Sequence, residues 1–295
     1  MSPNDFFTPW ERLIGDWQDA VDKINELFKL ATDKRELAWR GVSNADYALH
    51  SSIYRRINAF TGKVPTEVAV VALEEKILDQ SRRRWRYDNM TALELMAHIQ
   101  HYGGPTRLLD VSLNPFVALW FAVEQNYDAG RPIADTDGRL LIFDITDRQI
   151  ELDDIWGGRQ LPWKAATYGW CTELPVIWRP PSYNERIPAQ NSAFLIGGVP
   201  KMGPGGNMRY RKAPGDGTGA STWSAEEVRQ TTSVTLSMNA LDRKLRKNSK
   251  PTFTLRIAAG AKKLIRSNLE NRFGFNPSSM YPDLFGLAQY GANGI

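Results

Sequence analysis

The segment from Thr91 to Val123 constrains the fold more than any other part of the sequence. Thr91 and Glu94 form a Thr-x-x-Glu capping box, in which each side chain satisfies an orphan amide of the first helical turn. Leu93, Met96 and Ile99 continue that helix. It must stop at Gly103-Gly104-Pro105, where glycine relieves the backbone and proline forbids continuation. Leu108–Val111 reads as a short apolar strand. Asn114 then caps a second helix, with Pro115 at its first position and Phe116, Leu119, Trp120 and Val123 on its buried face.

The rest of the chain sets a framework around this segment. Trp10, Leu13, Ile14, Trp17, Val21, Ile24, Leu27 and Phe28 recur at helical steps and predict one amphipathic helix over residues 10–31. Glu36–Gly41 reads as a strand ending at a glycine, and Tyr47–Leu49 as a second extended piece. Thr66 precedes a run of helix formers reaching Tyr87. Strands are expected at Leu140–Ile145, Pro175–Trp178, Ser192–Ile196 and Thr252–Ile257, the last alternating and half-buried, with a helix at Leu264–Phe273. Gly197–Ser221 carries eight glycines and three prolines without periodicity, and reads as an insertion or a substrate-contacting loop.

A length of 295 residues suggests about two domains by size alone. A content of 42% apolar and 24% charged residues is that of a chain with a real core. No stretch is apolar enough for a membrane span, and the first residues lack a secretory pattern. A single cysteine, Cys171, fits a reducing compartment, so the expected location is cytoplasmic and no membrane partner is expected. Three histidines (His50, His98 and His101) and one thiol do not point to a zinc cage, and no metal is expected. The formal charge of +4, from 37 basic and 33 acidic residues, permits an anionic partner without demanding one. Of ten tryptophans, Trp10, Trp17 and Trp120 fall on predicted core faces. Trp156, Trp163, Trp170 and Trp223 have no role legible in the sequence.

Several chemistries are excluded by motif. No P-loop, H-E-x-x-H, paired C-x-x-C or G-x-S-x-G is present, and the glycines of the 197–221 loop do not sit between a strand and a helix as a dinucleotide fingerprint requires. Glu151, Asp153 and Asp154 form an acidic cluster after a strand, either a solvated turn or a place where a nuclease would hold magnesium. Arg82-Arg83-Arg84-Trp85-Arg86 is the densest basic run: either a solvated helix end or a platform for a single nucleic-acid strand, with Trp85 stacking on a base.

The segment Gln100–Asp110 is different in kind. A helix end delivers His101 and Tyr102 to the glycine turn, and the chain then carries Thr106, Arg107, Asp110 and Ser112 toward the next helix. One reading is a polar network that only fixes geometry, with Arg107 paired to Asp110 and His101 at the helix end. The other is a binding site.

Trp39-Arg40-Gly41, the string QHYGGPTRLLDVSLNPFVALWFA, Arg186–Phe194 and Met280–Gly286 together resemble the FRG domain family, named for a Phe-Arg-Gly signature in which this chain has Trp39. The resemblance spans roughly residues 36 to 290. It implies a helical lead-in over 1–35 and one domain over 36–295, with a glycine-rich insertion at about 197–224. The order of elements further resembles a reduced ADP-ribosyltransferase fold. The implied class is α+β: N-terminal helices packed on a mostly antiparallel split β-sheet core.

By that resemblance the substrate is NAD. Arg40 and Arg107 would hold the pyrophosphate, His101 and Tyr102 would frame the ribose or nicotinamide, and Gln190 would orient the reacting sugar. Gln100, Thr106, Asp110 and Ser112 complete the implied site, with Arg40, His101 and Gln190 as its catalytic members. Gln190 is a departure, because it is neutral and supplies no countercharge to the sugar cation left by nicotinamide. Glu185, Glu173 or Asp110 could supply it, or the chain could bind NAD without turning it over. The implied activity is an NAD-consuming toxin or defence effector. Its partners would be NAD, a protein or nucleic-acid acceptor met through basic surfaces at 82–86, 201–212 and 243–250, and an antitoxin or inhibitor. A nucleic-acid-binding or nuclease module and a noncatalytic nucleotide sensor are the competing readings. Transfer requires Arg40, His101, Arg107 and Gln190 to converge on one cleft.

Overall fold

The computed structural model describes residues 2–31, 34–153, 155–165, 168–203, 210, 212 and 222–291. Its strands are β1 (Glu11–Ile14), β2 (Leu37–Val42), β3 (Leu109–Ser112), β4 (Tyr127–Asp128), β5 (Arg131–Pro132), β6 (Gly138–Asp144), β7 (Gln149–Ile150), β8 (Val176–Trp178), β9 (Ser192–Ile196) and β10 (Thr252–Ile257). The helices are α1 (Pro3–Phe7), α2 (Trp17–Leu30), α3 (Ser52–Thr61), α4 (Glu67–Trp85), α5 (Ala92–His101), α6 (Pro115–Val123), α7 (Arg186–Ala189), α8 (Ala225–Arg229), α9 (Ala259–Phe273), α10 (Pro277–Met280) and α11 (Leu284–Tyr290). Among the described residues no helix is long and apolar enough to cross a membrane.

Among the described residues eight strands form one sheet in the order β1-β10-β6-β2-β3-β9-β8-β7, and β4 and β5 form a separate ribbon. The pairs at the two edges, β1 with β10 and β7 with β8, are parallel; the pairs between are antiparallel. The expected mixed, mostly antiparallel core is therefore present. It parts in the middle: β2 and β3 share a single register pair, Trp39 with Ser112, whereas β2 and β6 share six.

Both faces of the sheet are covered, which is why β6 reads as an unbroken apolar run. Trp39, Leu140, Ile142, Phe253, Leu255 and Ile257 pack against α2, α6 and α9. Ala38, Leu109, Val111, Leu141, Phe143 and Leu195 face the other way. The expectation of a half-buried β10 is corrected: Thr252 and Thr254 on its polar face are buried along with Phe253, Leu255 and Ile257, which pack with α9.

The capping box at Thr91 and the Asn114 cap form as expected, with Thr91 Oγ1 accepting from the Glu94 amide and Asn114 Oδ1 from the Phe116 amide. The single helix expected over 10–31 does not form. Thr8–Trp10 is a 3-10 turn, Glu11–Ile14 is β1, and a new helix begins at Trp17 under the side-chain cap of Asp16. Pairing with β10 outweighs the local helical pattern there. The 1–35 segment is accordingly part of the same core rather than a lead-in: Phe6 and Phe7 are buried under the sheet, and Glu11 pairs with the buried Arg139 of β6. The expected extended piece at Tyr47–Leu49 reduces to one bridge, Leu49 to Thr232. Most of the 197–224 insertion lies outside the described residues.

Gly41 explains the small residue after Arg40. A Cβ there would overlap the carbonyl oxygen of Ala118 and come within 2.5 Å of the Ala122 nitrogen, so α6 rests directly on the β2 backbone. Gly41→Ala must push α6 off the sheet. We expect a loss of roughly 3 kcal/mol and a thermal midpoint lower by about 10 °C, read by calorimetry.

Candidate functional site

Where β2 and β3 part, a cleft of ≈ 310 Å³ opens, within the size range of small-ligand sites. Its floor is the sheet face carrying Trp39, Asp110, Ser112, Ser192 and Phe194. Ala118 and Phe121 of α6 form one wall, and Ala97, His98, Gln100 and His101 of α5 the other. The rest comes from the 183–190 segment and Tyr281.

Arg40 lies at the seam. Its Nη1 donates to the carbonyl oxygen of Asp110, replacing a ladder bond that the parted strands cannot make, and lies 4.0 Å from the Asp110 carboxylate. Its Nε is buried and has no hydrogen-bond partner among the described residues. Burial holds its pKa below the ordinary arginine value, Asp110 raises it in part, and Arg55 lowers it again. This half-buried, incompletely paired cation would gain from an anion arriving in the cleft.

The end of α5 is fixed by Gln100. Its Nε2 donates to the Asp110 carboxylate at 2.7 Å, and its Oε1 accepts from the Thr106 hydroxyl. His101 lines the cleft, with Nε2 4.0 Å from the Asp283 carboxylate. Burial and the neighbouring Arg186 lower its pKa, partly offset by Asp283. The ring is therefore neutral at neutral pH: it can exchange a hydrogen bond with a sugar but cannot act as a phosphate-binding cation.

Gln190 also lines the cleft, yet its side chain is committed. Its Nε2 donates to the Met280 carbonyl at 2.8 Å, and its own carbonyl accepts from Ser112 Oγ at 2.7 Å. Ser112 Oγ in turn accepts from the Asn114 amide. Both residues tie the cleft floor to its surroundings. Among the carboxylates named as alternatives, Asp110 lines the cleft and Glu185 and Glu173 do not.

Arg40, His101 and Gln190 thus converge, with Gln100, Asp110 and Ser112, but Arg107 does not, so the four-residue convergence expected of a transfer site is not met and Arg40 is left to hold a pyrophosphate without it. The implied pyrophosphate role of Arg107, and its pairing with Asp110, are both corrected. Arg107 is buried beneath the cleft-forming layer. It donates to Glu74 through Nε at 2.6 Å and Nη2 at 2.5 Å, and to Glu67 through Nη1 at 2.9 Å. Its guanidinium lies 4.3 Å from the Trp163 ring centre. Trp163 donates to Glu74 and Trp170 to Glu67, and the two indoles stack. Two tryptophans without a legible role are therefore walls of a buried ionic knot, and Trp156 packs beside them. Thr106 is buried behind Gln100, away from the cleft, and Tyr102 points outward, 78% exposed.

Sequence reasoning missed the residues that close the cleft from the far end of the chain. Arg186 forms a two-pronged pair with Asp283 at 2.6 and 2.8 Å, and packs over Tyr281 and Phe285. Tyr183, Asn184 and Tyr281 line the cavity beside it. Arg186 falls in the Arg186–Phe194 string, but only the folded chain brings it to Arg40.

Tyr281 donates to Glu124, which caps the end of α6, and stacks on Tyr290 with ring centres 4.4 Å apart. Burial pushes the Glu124 pKa up to about 7, partly offset by Tyr281 and Tyr290. A carboxyl raised on folding contributes stability that is full below its unfolded value and is lost as pH rises through the folded value. The clamp on the C-terminal segment should therefore weaken between about pH 5 and pH 8. Glu124→Gln should remove that pH-dependent part of the thermal midpoint; an unchanged pH slope would refute this.

The basic surfaces differ in character. In the 243–250 segment Arg243 packs on Trp10 and Lys250 pairs with Asp147. Lys212 packs on Trp223, and Arg209 and Arg211 lie outside the described residues. Asp154 of the acidic cluster also lies outside them. Among the described residues no group of three or more histidine, cysteine or carboxylate side chains is placed to hold a metal ion. A family model, that of the FRG domain, matches residues 35–130, covering β2, β3 and the cleft residues Arg40, Gln100, His101, Asp110 and Ser112. No curated protein and no solved structure matches the chain.

Proposed function

On the premise that this chain carries an FRG domain at residues 35–130, we propose that the seam cleft binds NAD and serves ADP-ribosyl transfer or NAD cleavage. The observation that carries the reading is Arg40, a half-buried cation at the cleft whose buried Nε has no hydrogen-bond partner among the described residues. Guanidinium groups bind phosphate oxygens through paired donors, and Arg40 has one donor unused. A cavity of this size takes the nicotinamide ribose half of a dinucleotide, with the pyrophosphate at Arg40 and the adenosine directed outward. Neutral His101 would accept from or donate to a ribose hydroxyl. Phe121 and Tyr183 offer apolar surface for the nicotinamide ring.

In the proposed reaction the bond between C1′ of the ribose and the nicotinamide nitrogen breaks, and its electron pair leaves with nicotinamide. A lone pair of the acceptor, or of water, forms the new bond to C1′, and the acceptor's proton passes to a carboxylate or to solvent. Asp110 is the carboxylate lining the cleft, so it takes the countercharge role that the neutral Gln190 cannot.

The commitment of the Gln190 amide to Met280 favours a second reading, a nucleotide sensor that binds without turnover. Calorimetry with NAD and chromatographic assay of released nicotinamide separate the two. Binding with release supports the enzyme; binding without release supports the sensor. Absence of both would remove the dinucleotide reading altogether.

A further inference from the structure

A second groove runs along the outer side of α5, with a volume of ≈ 400 Å³. It lies between the end of α4 and the Gly103-Gly104 turn. Ile77, Leu95 and Ile99 form its base, and Trp85, Tyr87 and Tyr102 form its rim. Those three rings are 63%, 48% and 78% exposed, an arrangement that leaves aromatic faces open beside an apolar floor.

The charge around the groove is positive. Arg83, Arg84 and Arg86 are exposed at the end of α4. Arg84 lies three residues beyond Ser81 and four beyond Gln80, so it shares the helical face that lines the groove. Asp79 pairs with Arg83 and Asp88 with Arg86, which neutralises part of the charge. Arg84 has no ion-pair partner among the described residues; Arg82, whose Nε and Nη2 are buried without a hydrogen-bond partner there, does not line the groove.

Position completes the observation. His98 lines this groove and the seam cleft alike, so one turn of α5 separates them. On the cleft side His98 packs against Tyr183, 4.8 Å between ring centres.

We propose that this groove binds a single strand of nucleic acid, seating a base among Trp85, Tyr87 and Tyr102 with flanking phosphates on Arg84 and Arg86. Open aromatic rings next to guanidinium groups fit unpaired bases joined by phosphates. The bases of a duplex are stacked on one another and cannot enter. The strand's role as the acceptor of ADP-ribose rests on the reading of the seam cleft given above; its binding does not.

The test uses the full chain and fluorescein-labelled 12-nucleotide RNA and DNA strands, without NAD, followed by anisotropy. The same strands in duplex form and an acidic peptide are the comparisons. The single strands should bind in preference to both comparisons. Trp85→Ala should weaken single-strand binding about tenfold or more. The double variant R84E/R86E should weaken it further and flatten its salt dependence by about 1.4 in log-log slope. All three positions are exposed, so thermal midpoints should be unchanged. Equal binding of duplex or acidic peptide, or variants that bind like the parent chain, would overturn the proposal. Adding NAD then separates the two readings. Strand binding with no labelled transfer keeps the groove and removes its acceptor role. Transfer to the strand that Arg40→Ala abolishes, with strand binding intact, supports both.

Discussion

Replacing Arg107 by alanine is expected to cost about 3–5 kcal/mol of stability, the range for breaking a buried ion pair from one side. For a chain of this size that lowers the thermal midpoint by roughly 10 °C. The change strands two carboxylates, Glu67 and Glu74, in a site walled by Trp163 and Trp170. Glu74 already has its pKa raised by burial, with Arg107 as the main force pulling it back. Without the guanidinium Glu74 is driven further toward the neutral form. A carboxyl raised on folding is stabilising at low pH and loses that contribution as pH rises. The Arg107→Ala protein should therefore recover part of its loss on moving from pH 8 to pH 5, and the parent chain should recover less. Arg107→Lys should restore charge without the two-pronged contact to Glu74, and so only part of the stability. Calorimetric scans at the two pH values test all three statements. A phosphate-binding arginine would behave oppositely, sparing the midpoint and weakening the ligand.

Arg40→Ala should give that opposite pattern. Among the described residues the Arg40 side chain makes one hydrogen bond, to the Asp110 carbonyl, beside a 4.0 Å contact with the Asp110 carboxylate, and leaves its Nε unpaired, so little stability depends on it. Its loss should shift the midpoint by no more than a few degrees. Hydrogen bonds to charged groups contribute about 1.5–3 kcal/mol, so NAD affinity should fall about 10- to 150-fold. Nicotinamide release should fall by at least as much. Arg40→Lys should rescue poorly, because an ammonium cannot hold the Asp110 carbonyl and a phosphate from the same plane. Paired calorimetry and release assays decide the matter. An Arg40→Ala protein that binds NAD normally but melts as early as the Arg107 variant would make Arg40 a strut of the seam.

These two arginines show what the sequence can and cannot carry. The stop at Gly103-Gly104-Pro105 and the caps at Thr91 and Asn114 are short-range chemistry, and they read directly. The side of the sheet that an arginine serves is long-range. Arg40 and Arg107 both follow plausible site motifs, but the partners of Arg107 lie 33 and 40 residues earlier, on α4, and its aromatic walls more than fifty residues later. Helix α4 presents Glu67 and Glu74 one above the other, seven residues apart, a spacing that reads as ordinary helix surface until Arg107 is placed against it. The same distance hid β1, whose residues follow a helical pattern until β10 offers them a ladder. Arg186, Tyr281 and Asp283 close the cleft from late in the chain, and no local pattern ties them to Arg40. Gln190 was visible as a candidate, but its use as a brace for Met280 was not.

The placement of β10 also bears on how the chain is made. The partner of β1 in the sheet is β10, and the two meet across 243 residues, Glu11 to Thr254. During synthesis the first strand has nothing to pair with until β10 has left the ribosome, and until then β6 presents an open edge. Open edges invite pairing between chains, and contacts so distant in sequence form slowly. The family segment 35–130 contains β2 and β3 but neither β6 nor β9, their other neighbours. Cut out alone, it would carry the signature residues without the sheet that gives them a cleft. Premature termination anywhere before Thr252 should likewise yield insoluble chains, so the cell obtains the completed site only from the whole translated polypeptide.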